Sequence, residues 1–483
     1  MDDNTGNDDA RQSLFDEFES EIVKAGNSEA FFDENDLVEI FDYASDLDNY
    51  IVKMEVLLYG ARHYPDSESL ATRRAWFYSS FGEMEASAQV NRRVSHEGVL
   101  NKLLSLRAEG ASATPETRAR LDEIVGATEE FGDEDVIQLV DFCAELEMLD
   151  WVRDNREAVV RRTPYPQTFI YEYADRAEDA GDYDTAAALF EELTMMEPFT
   201  LDFWLRLSAT EYTRKNFDAS LSAADYALAI SPDNIEAISL KAKSLYWLDR
   251  DLPGVITSLR ELVKRPDANE DDIRILSFAL NDMRDNAGAV EVIRGYLDNH
   301  PPTRTVMDCL LTLDISEGER YARQFFTERD VDELSYLNWA YSHFKLKNYE
   351  IAAVLMKIVA EHNVTFEAVN HLVEAYYLAG RYEEAIEAFG KFIGKKIHYP
   401  CVALPYIMSL VRLGRREEAL KEVNDFLSHS RVVIPLIKTR GDEASPFEFN
   451  CMQTGHYYYL DNIRRALEAH GELPADDFDP ACL

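Results

Sequence analysis

Four prolines, Pro164, Pro198, Pro232 and Pro266, stand 34 residues apart three times in succession. A fixed period of that length selects a stack of like supersecondary units over a single globular core. Between the prolines one pattern returns. In residues 167–200, Ile170, Tyr173, Ala174 and Ala177 recur at helical spacing and so share one face of a first helix. Gly181-Asp182-Tyr183 breaks that helix. Ala186, Phe190 and Leu193 form the stripe of a second helix, which Pro198 stops. The small residues let the two helices approach closely, while Tyr183 and Phe190 fill the space beside them.

This pattern resembles the tetratricopeptide repeat, a 34-residue unit of two antiparallel helices. The best match is Glu367 to Ile393, where Gly380-Arg381-Tyr382-Glu383-Glu384-Ala385-Ile386 reads as the family's turn and second-helix start. Gly414-Arg415-Arg416-Glu417-Glu418-Ala419-Leu420 repeats it 34 residues later, and Trp204, Leu207, Ser208, Tyr212 and then Pro232 match in another unit. The resemblance implies an all-α fold: a right-handed solenoid, or superhelix, of about twelve helix pairs over 34–433, with capping helices at both ends. Units fall at 34–67, 133–166, 167–200, 201–234, 235–268, 269–302, 333–365, 366–399 and 400–433. The period places two degenerate units in 68–132, where Trp76, Tyr78 and Gly82 are the good matches, and a shortened unit at 303–332. One elongated domain is expected, because each repeat buries its apolar face on its neighbours.

Before the repeats, residues 1–33 read as a polar start without order through residue 9 and a capping helix from Ala10 to Ala25. Leu14, Phe18 and Ile22 share a face of that helix, and Gly26 stops it. After them, residues 434–483 read as a loop from Ile434 to Pro446, a capping helix from Asn450 to His470 and an acidic tail. The helix carries Tyr457, Leu460, Ile463 and Leu467, and the loop holds the tripeptide Arg440-Gly441-Asp442.

The formal net charge is −42. That argues against nucleic acid, whose affinity rests on basic side chains neutralising phosphate, and against anionic lipid. The excess is uneven: residues 1–200 hold 46 acidic and 17 basic side chains, so a basic partner would be steered there. The start has the wrong charge for a secretory signal and no apolar run follows it. No stretch approaches the ~20 apolar residues of a membrane span. Cys143, Cys309, Cys401, Cys451 and Cys482 are scattered without paired spacing. A reduced, cytoplasmic setting follows as the expectation.

No phosphate-binding glycine loop, His-Glu-x-x-His metal motif or Gly-x-Ser-x-Gly nucleophile elbow occurs. The expectation is a protein that is not an enzyme and has no cofactor or metal. The resemblance implies instead that the first helix of each repeat lines a groove, through its second, fifth, sixth, ninth, twelfth and thirteenth positions. Carried over, these positions offer Asp141 and Glu145 from 133–166, and Tyr171, Glu172, Asp175, Glu178 and Asp179 from 167–200. Farther on they offer Arg206 and Tyr212, then Lys243, Tyr246 and Trp247, then Asn338, Tyr341 and Phe344, and last Asn370, His371, Glu374 and Tyr377. The groove thus reads as acidic at one end and aromatic at the other. The clamp by which some family members hold a carboxylate terminus does not fit. Its fifth and ninth positions here read Tyr171 and Asp175, Leu205 and Ala209, Ser239 and Lys243, and Asn370 and Glu374.

The function expected is that of a scaffold or adaptor holding a protein or extended peptide, with a basic segment, in the groove. The partner-binding candidates are Asp141, Glu145, Glu172, Asp175, Glu178 and Asp179, with Tyr246, Trp247 and Tyr341 at the aromatic end. The alternative is a regulatory module that senses a small molecule or peptide. The two differ in what they require, an open row of shallow sites or a closed cavity. The oligomeric state stays open.

Overall fold

A computed structural model describes residues 4–27, 30–47, 49–94, 98–266, 268–328, 333–363, 366–393, 400–440 and 456–469. Among them there are helices and turns and no strand. They gather into two compact bodies, Met1–Arg250 and Asp251–Leu483. The first holds α1 (Asn4–Phe18), α2 (Glu34–Asp46), α3 (Tyr50–His63), α4 (Glu68–Ser80), α5 (Met84–Asn91), α6 (Val99–Ala108) and α7 (Pro115–Ala127). It continues with α8 (Asp133–Glu145), α9 (Leu149–Val160), α10 (Pro166–Asp179), α11 (Tyr183–Met196), α12 (Leu201–Thr213), α13 (Phe217–Ile230) and α14 (Ile235–Trp247).

The second body holds α15 (Leu252–Leu262), α16 (Glu270–Asp282), α17 (Asn286–Leu297), α18 (Arg304–Leu313), α19 (Ile315–Glu328) and α20 (Glu333–Lys345). After these come α21 (Tyr349–His362), α22 (Phe366–Leu378), α23 (Tyr382–Ala388), α24 (Pro400–Arg412), α25 (Arg416–Arg440) and α26 (His456–Glu468). From α2 to α25 the described helices number twenty-four, the count that twelve pairs require. The sequence period carries no mark of the division after Arg250.

One unit shows why the pattern folds this way. Pro166 opens α10 at the first helical position, where its missing N–H costs nothing. Ile170, Tyr173, Ala174 and Ala177 are buried, Ala174 completely. Gly181 then turns the chain at φ +78°, a left-handed conformation that ends a helix. Asp182 caps α11 by accepting a hydrogen bond from the Thr185 amide at 3.2 Å. Ala186, Phe190 and Leu193 close the unit from the other side, all fully buried.

The same left-handed turn recurs where no glycine stands. Glu147, Lys215, Asp249, Arg284 and Lys347 have φ between 53° and 64°. Four of these turn residues, Glu147, Gly181, Lys215 and Asp249, are successively 34 apart, so the turn keeps the period that the prolines announce.

The weak stretch 68–132 holds two helix pairs, as expected, but builds its interior differently. Asn101 donates to Asn91 Oδ1 at 2.8 Å and to Thr72 Oγ1 at 3.2 Å, and Asn91 donates back to the Asn101 carbonyl at 3.0 Å. These asparagines are buried. A paired polar core sits where the repeat pattern asks for small apolar residues, which is why its signal fades.

The ends depart from expectation in two places. The first helix begins at Asn4, not Ala10, and passes into a wider π-helical turn over Glu19–Lys24. Phe15 and Phe18 anchor it against Phe32 and Tyr59, as a cap should. Residues 434–440 are not loop: α25 runs on to Arg440. Beyond it, Gly441 and Asp442 lie outside the described residues. The closing helix is present as α26, with Leu460, Ile463 and Leu467 buried.

Candidate functional site

The acidic candidates of the first body come together, though not as an unanswered cluster. Arg176, on α10, stands at their centre. Its Nε lies 2.8 Å from Asp141 of α8 and 2.9 Å from Glu172, and its terminal nitrogens lie 2.7 Å from Asp179 and 3.5 Å from Asp175. Arg206, on α12, pairs with Asp175 and reaches Glu178 at 2.9 Å. Thr210 donates to the other oxygen of Glu178 at 2.9 Å. Glu145 pairs at 2.5 Å with Arg107, whose guanidinium lies over the Trp76 ring, 4.5 Å from its centroid.

The acidic end read from sequence is therefore not a bare cluster of like charges. Three guanidinium groups are interleaved with six carboxylates, and each carboxylate has a cationic neighbour. Sequence reasoning passed over Arg107 and Arg176 because neither sits at a groove position. The readable signal was spacing. Arg176 follows Glu172 by four residues and precedes Asp179 by three, so one guanidinium reaches both along a helix face.

The carboxylates still outnumber the cations. Glu172 is the most enclosed, and burial together with neighbouring Asp141, which shares a hydrogen bond with it, pushes its carboxyl up to about 7. Burial also raises Glu145. Beside them lies a hollow of about 830 Å³, lined by Asp141, Glu145, Glu147, Asp150, Asp179 and Asp182 against a single lining cation, Arg176. A second hollow, about 820 Å³, shares Asp141 and Glu145 with the first and runs on past Arg107, Trp76, Phe77 and Phe41. The two hollows meet at Asp141 and Glu145 of α8.

The aromatic candidates divide between the bodies. Trp247 is 45% exposed, stacks on Phe217 with centroids 5.8 Å apart, and donates to the Tyr212 hydroxyl at 3.0 Å. Tyr246 meets Trp247 edge-on at 5.3 Å, and the buried Lys243 ammonium lies 5.5 Å from the Tyr212 ring. Tyr341 belongs to the second body and packs edge-on against His371 at 4.9 Å. There, His371 Nδ1 lies 3.3 Å from Glu374 Oε2. Glu374 is fully buried and Asn370 nearly so, yet Glu374 Oε1 and Asn370 Oδ1 have no hydrogen-bond partner.

A family profile described as tetratricopeptide repeat matches residues 171–235 and 337–396. Those two stretches are tetratricopeptide repeats. No curated protein matches it. Solved structures similar to it include a tetratricopeptide repeat protein from Parabacteroides merdae, 11% identical over 54% of this chain and 92% of that one, with a TM-score of 0.31. A second is the C-terminal part of a repeat-containing protein from Cytophaga hutchinsonii, 13% identical over 56% and 99%, at 0.37. A third is the TPR2AB domain of yeast Sti1 in its pHSP90 complex, 11% identical over 61% and 98%, at 0.22.

Both matched segments of the repeat protein carry groove candidates: Tyr171 to Arg206 in the first and Tyr341 to Glu374 in the second. Cys143 and Cys309 are free and buried, and burial pushes their thiols up to about 12 and about 11. Such thiols are core residues and poor nucleophiles. Among the described residues, no group of three or more His, Cys, Asp or Glu side chains is arranged to hold a metal, and no helix is long and apolar enough to cross a membrane.

Proposed function

We propose that this repeat protein is a non-enzymatic scaffold whose first-helix channel in the first body holds an extended polypeptide carrying a basic segment. One observation carries the reading: six carboxylates line the hollow beside Arg176, and with Arg107 on Glu145 and Arg118 on Asp150 they still outnumber the cations two to one. Arginine or lysine side chains of a partner supply the missing positive charge, and the field of the acidic first 200 residues steers them in. The adjoining hollow with Trp76, Phe77 and Phe41 gives apolar contact to neighbouring partner residues. A channel that continues from one repeat to the next suits a chain better than a compact metabolite. The buried free thiols agree with a reducing, cytoplasmic setting.

The test is a pull-down followed by titration of the recovered partner. Replacing Glu172, Asp175 and Asp179 together by Lys is expected to weaken binding at least tenfold at low salt while the helical circular-dichroism signal stays. Unchanged affinity would make these carboxylates a solvated face and sink the proposal.

A further inference from the structure

The two hollows that meet on α8 differ in charge. The one beside Arg176 is lined by six carboxylates. The other is lined by four, Asp42, Glu134, Asp141 and Glu145, and each of these has a partner. Arg73 grips Asp42 through two nitrogens at 2.8 and 2.6 Å, Arg107 holds Glu145, and Arg176 reaches in to Asp141. Gln138 donates to Glu134 at 2.9 Å. Three lining cations, Lys53, Arg73 and Arg107, therefore stand against four carboxylates, one of them answered from outside by Arg176. This hollow is close to neutral where its neighbour is acidic.

Its wall is aromatic and already ordered. The Arg107 side chain is 12% exposed, and its guanidinium lies between two rings, 4.5 Å from the Trp76 centroid and 5.8 Å from that of Phe142. Among the described residues, the Trp76 indole N–H and the Arg107 Nε–H are buried without an acceptor. A buried donor left unanswered costs stability, and an occupant that brings carbonyl oxygens removes that cost.

We propose, resting on the basic-segment reading above, that this hollow takes one large apolar side chain of the same partner polypeptide, close in sequence to its basic residues, and that a main-chain carbonyl beside that side chain accepts from the Trp76 indole. Charge selects the side chain. A lysine or a carboxylate brought into a hollow whose charges are already paired finds no counter-charge, whereas an apolar group gains by leaving water. The unanswered donors select a peptide, which carries carbonyl oxygens beside every side chain. The volume of about 820 Å³ suits an aromatic side chain together with its own main chain. The shared residues Asp141 and Glu145 place the basic subsite next to the apolar one. Because Trp76, Arg107 and Phe142 are stacked beforehand, little ordering is left for binding to impose.

The probe is the peptide acetyl-Arg-Arg-Gly-Phe-Gly-Arg-Arg-amide, which offers basic residues on both sides of the anchor. Its relatives carry Ala for Phe, Gln for every Arg, or both, and all are titrated onto the full chain at about 0.15 M salt. The Phe peptide is expected to bind at least tenfold tighter than its Ala twin, the scale on which burying a large apolar side chain counts. Trp76→Ala is expected to reduce that preference below threefold. The five tryptophans give five indole N–H signals in NMR, and the one that Trp76→Phe removes is expected to shift with the Phe peptide and not with the Ala peptide. Equal binding of the Phe and Ala peptides overturns the proposal. So does a preference that survives Trp76→Ala, or a Trp76 signal that stays still while the Phe peptide binds. The exchange of Arg for Gln tests the basic-segment reading by itself: if it costs nothing, that reading fails, and the comparison of Phe with Ala still decides the hollow. Absence of binding by every peptide up to about 1 mM overturns both. If Trp76→Ala does not fold, Met84→Glu at the 41% exposed rim replaces it: loss of the Phe preference supports the site, and an undiminished preference overturns it.

Discussion

Asp175 and Glu374 occupy the same place, the ninth position of the units 167–200 and 366–399, one in each body. Asp175 is about a quarter exposed and has two arginines, Arg206 from the next repeat and Arg176 beside it. Glu374 is fully buried, lies 3.3 Å from His371 Nδ1 and, among the described residues, leaves one oxygen without a hydrogen-bond partner. A carboxylate at this position is therefore not fixed in character by the fold. Where the neighbouring repeat supplies a cation, it becomes part of a solvated network of ion pairs. Where it stands instead beside His371, whose ring Tyr341 and Phe344 meet edge-on, it becomes a buried group with an unanswered oxygen.

The comparison assumes that both helices are held by the same packing one residue earlier, where Ala174 and Val373 are each fully buried. Ala174→Trp tests that assumption and has the largest expected effect. Nothing as large as an indole fits between α10 and α11 without displacing them, so the loss of stability is about 3 kcal/mol or more. A urea melt of the purified variant measures it. A midpoint within error of wild type would mean that the helix pair is not packed through its small residues at all.

Removing a partner should act with opposite sign in the two bodies. Arg206→Ala leaves Asp175 and Glu178 short of a cation and uncovers Tyr171 and Phe190, over which the guanidinium lies. It should cost about 1–2 kcal/mol, moderated because the groups are partly solvated. Glu374→Gln keeps the side chain's shape and brings an amide donor to a place where the Asn370 oxygen has no hydrogen-bond partner, so it should gain about 1 kcal/mol. Denaturant midpoints at one pH give both signs. If Glu374→Gln destabilises, the buried carboxylate is meeting a need that the contrast with Asp175 overlooks.

Much of this was legible beforehand. The prolines and the glycine turns at Gly181 and Gly380 fixed the frame, because each residue type enforces a backbone conformation wherever it stands. The groove positions followed from that frame, and Asp141, Glu172, Asp175 and Asp179 do meet around one residue. What escaped was everything decided by side chains reaching between repeats. Arg107 reaches 38 residues along the chain to Glu145, a distance on which local spacing is silent. The asparagine pair of 91 and 101 hid a repeat because two polar groups satisfying each other look, one at a time, like surface residues.

The solvated network should also respond to pH. Burial and Asp141 raise the Glu172 carboxyl from its ordinary value to about 7. A folded state that holds this proton more tightly than the unfolded chain gains stability at low pH and loses it as pH rises from about 4.5 to about 7. The slope from one such group is at most about 1.4 kcal/mol per pH unit. Glu172→Gln should flatten that part of the stability profile, and the same protonation should weaken a basic partner below pH 7. A profile unchanged by the substitution would mean that Arg176 holds Glu172 ionised throughout.

The smallest effect asks whether the bodies differ only on the groove face. Lys215 in the first and Lys347 in the second both sit in the turn between paired helices at φ 63° and 64°. A side chain in that conformation brings Cβ against its own backbone, at a cost of about 1 kcal/mol that glycine avoids. Glycine in turn gives the unfolded chain more freedom, which takes back part of the gain. Lys215→Gly and Lys347→Gly should therefore each stabilise by about 0.5 kcal/mol, read from paired urea melts. Equal gains would show that the two bodies share one backbone turn and that Asp175 and Glu374 differ through their neighbours alone. A gain in one body and a loss in the other would mean that the lysine side chain is held by something in that body, and the contrast between the grooves would extend to the scaffold beneath them.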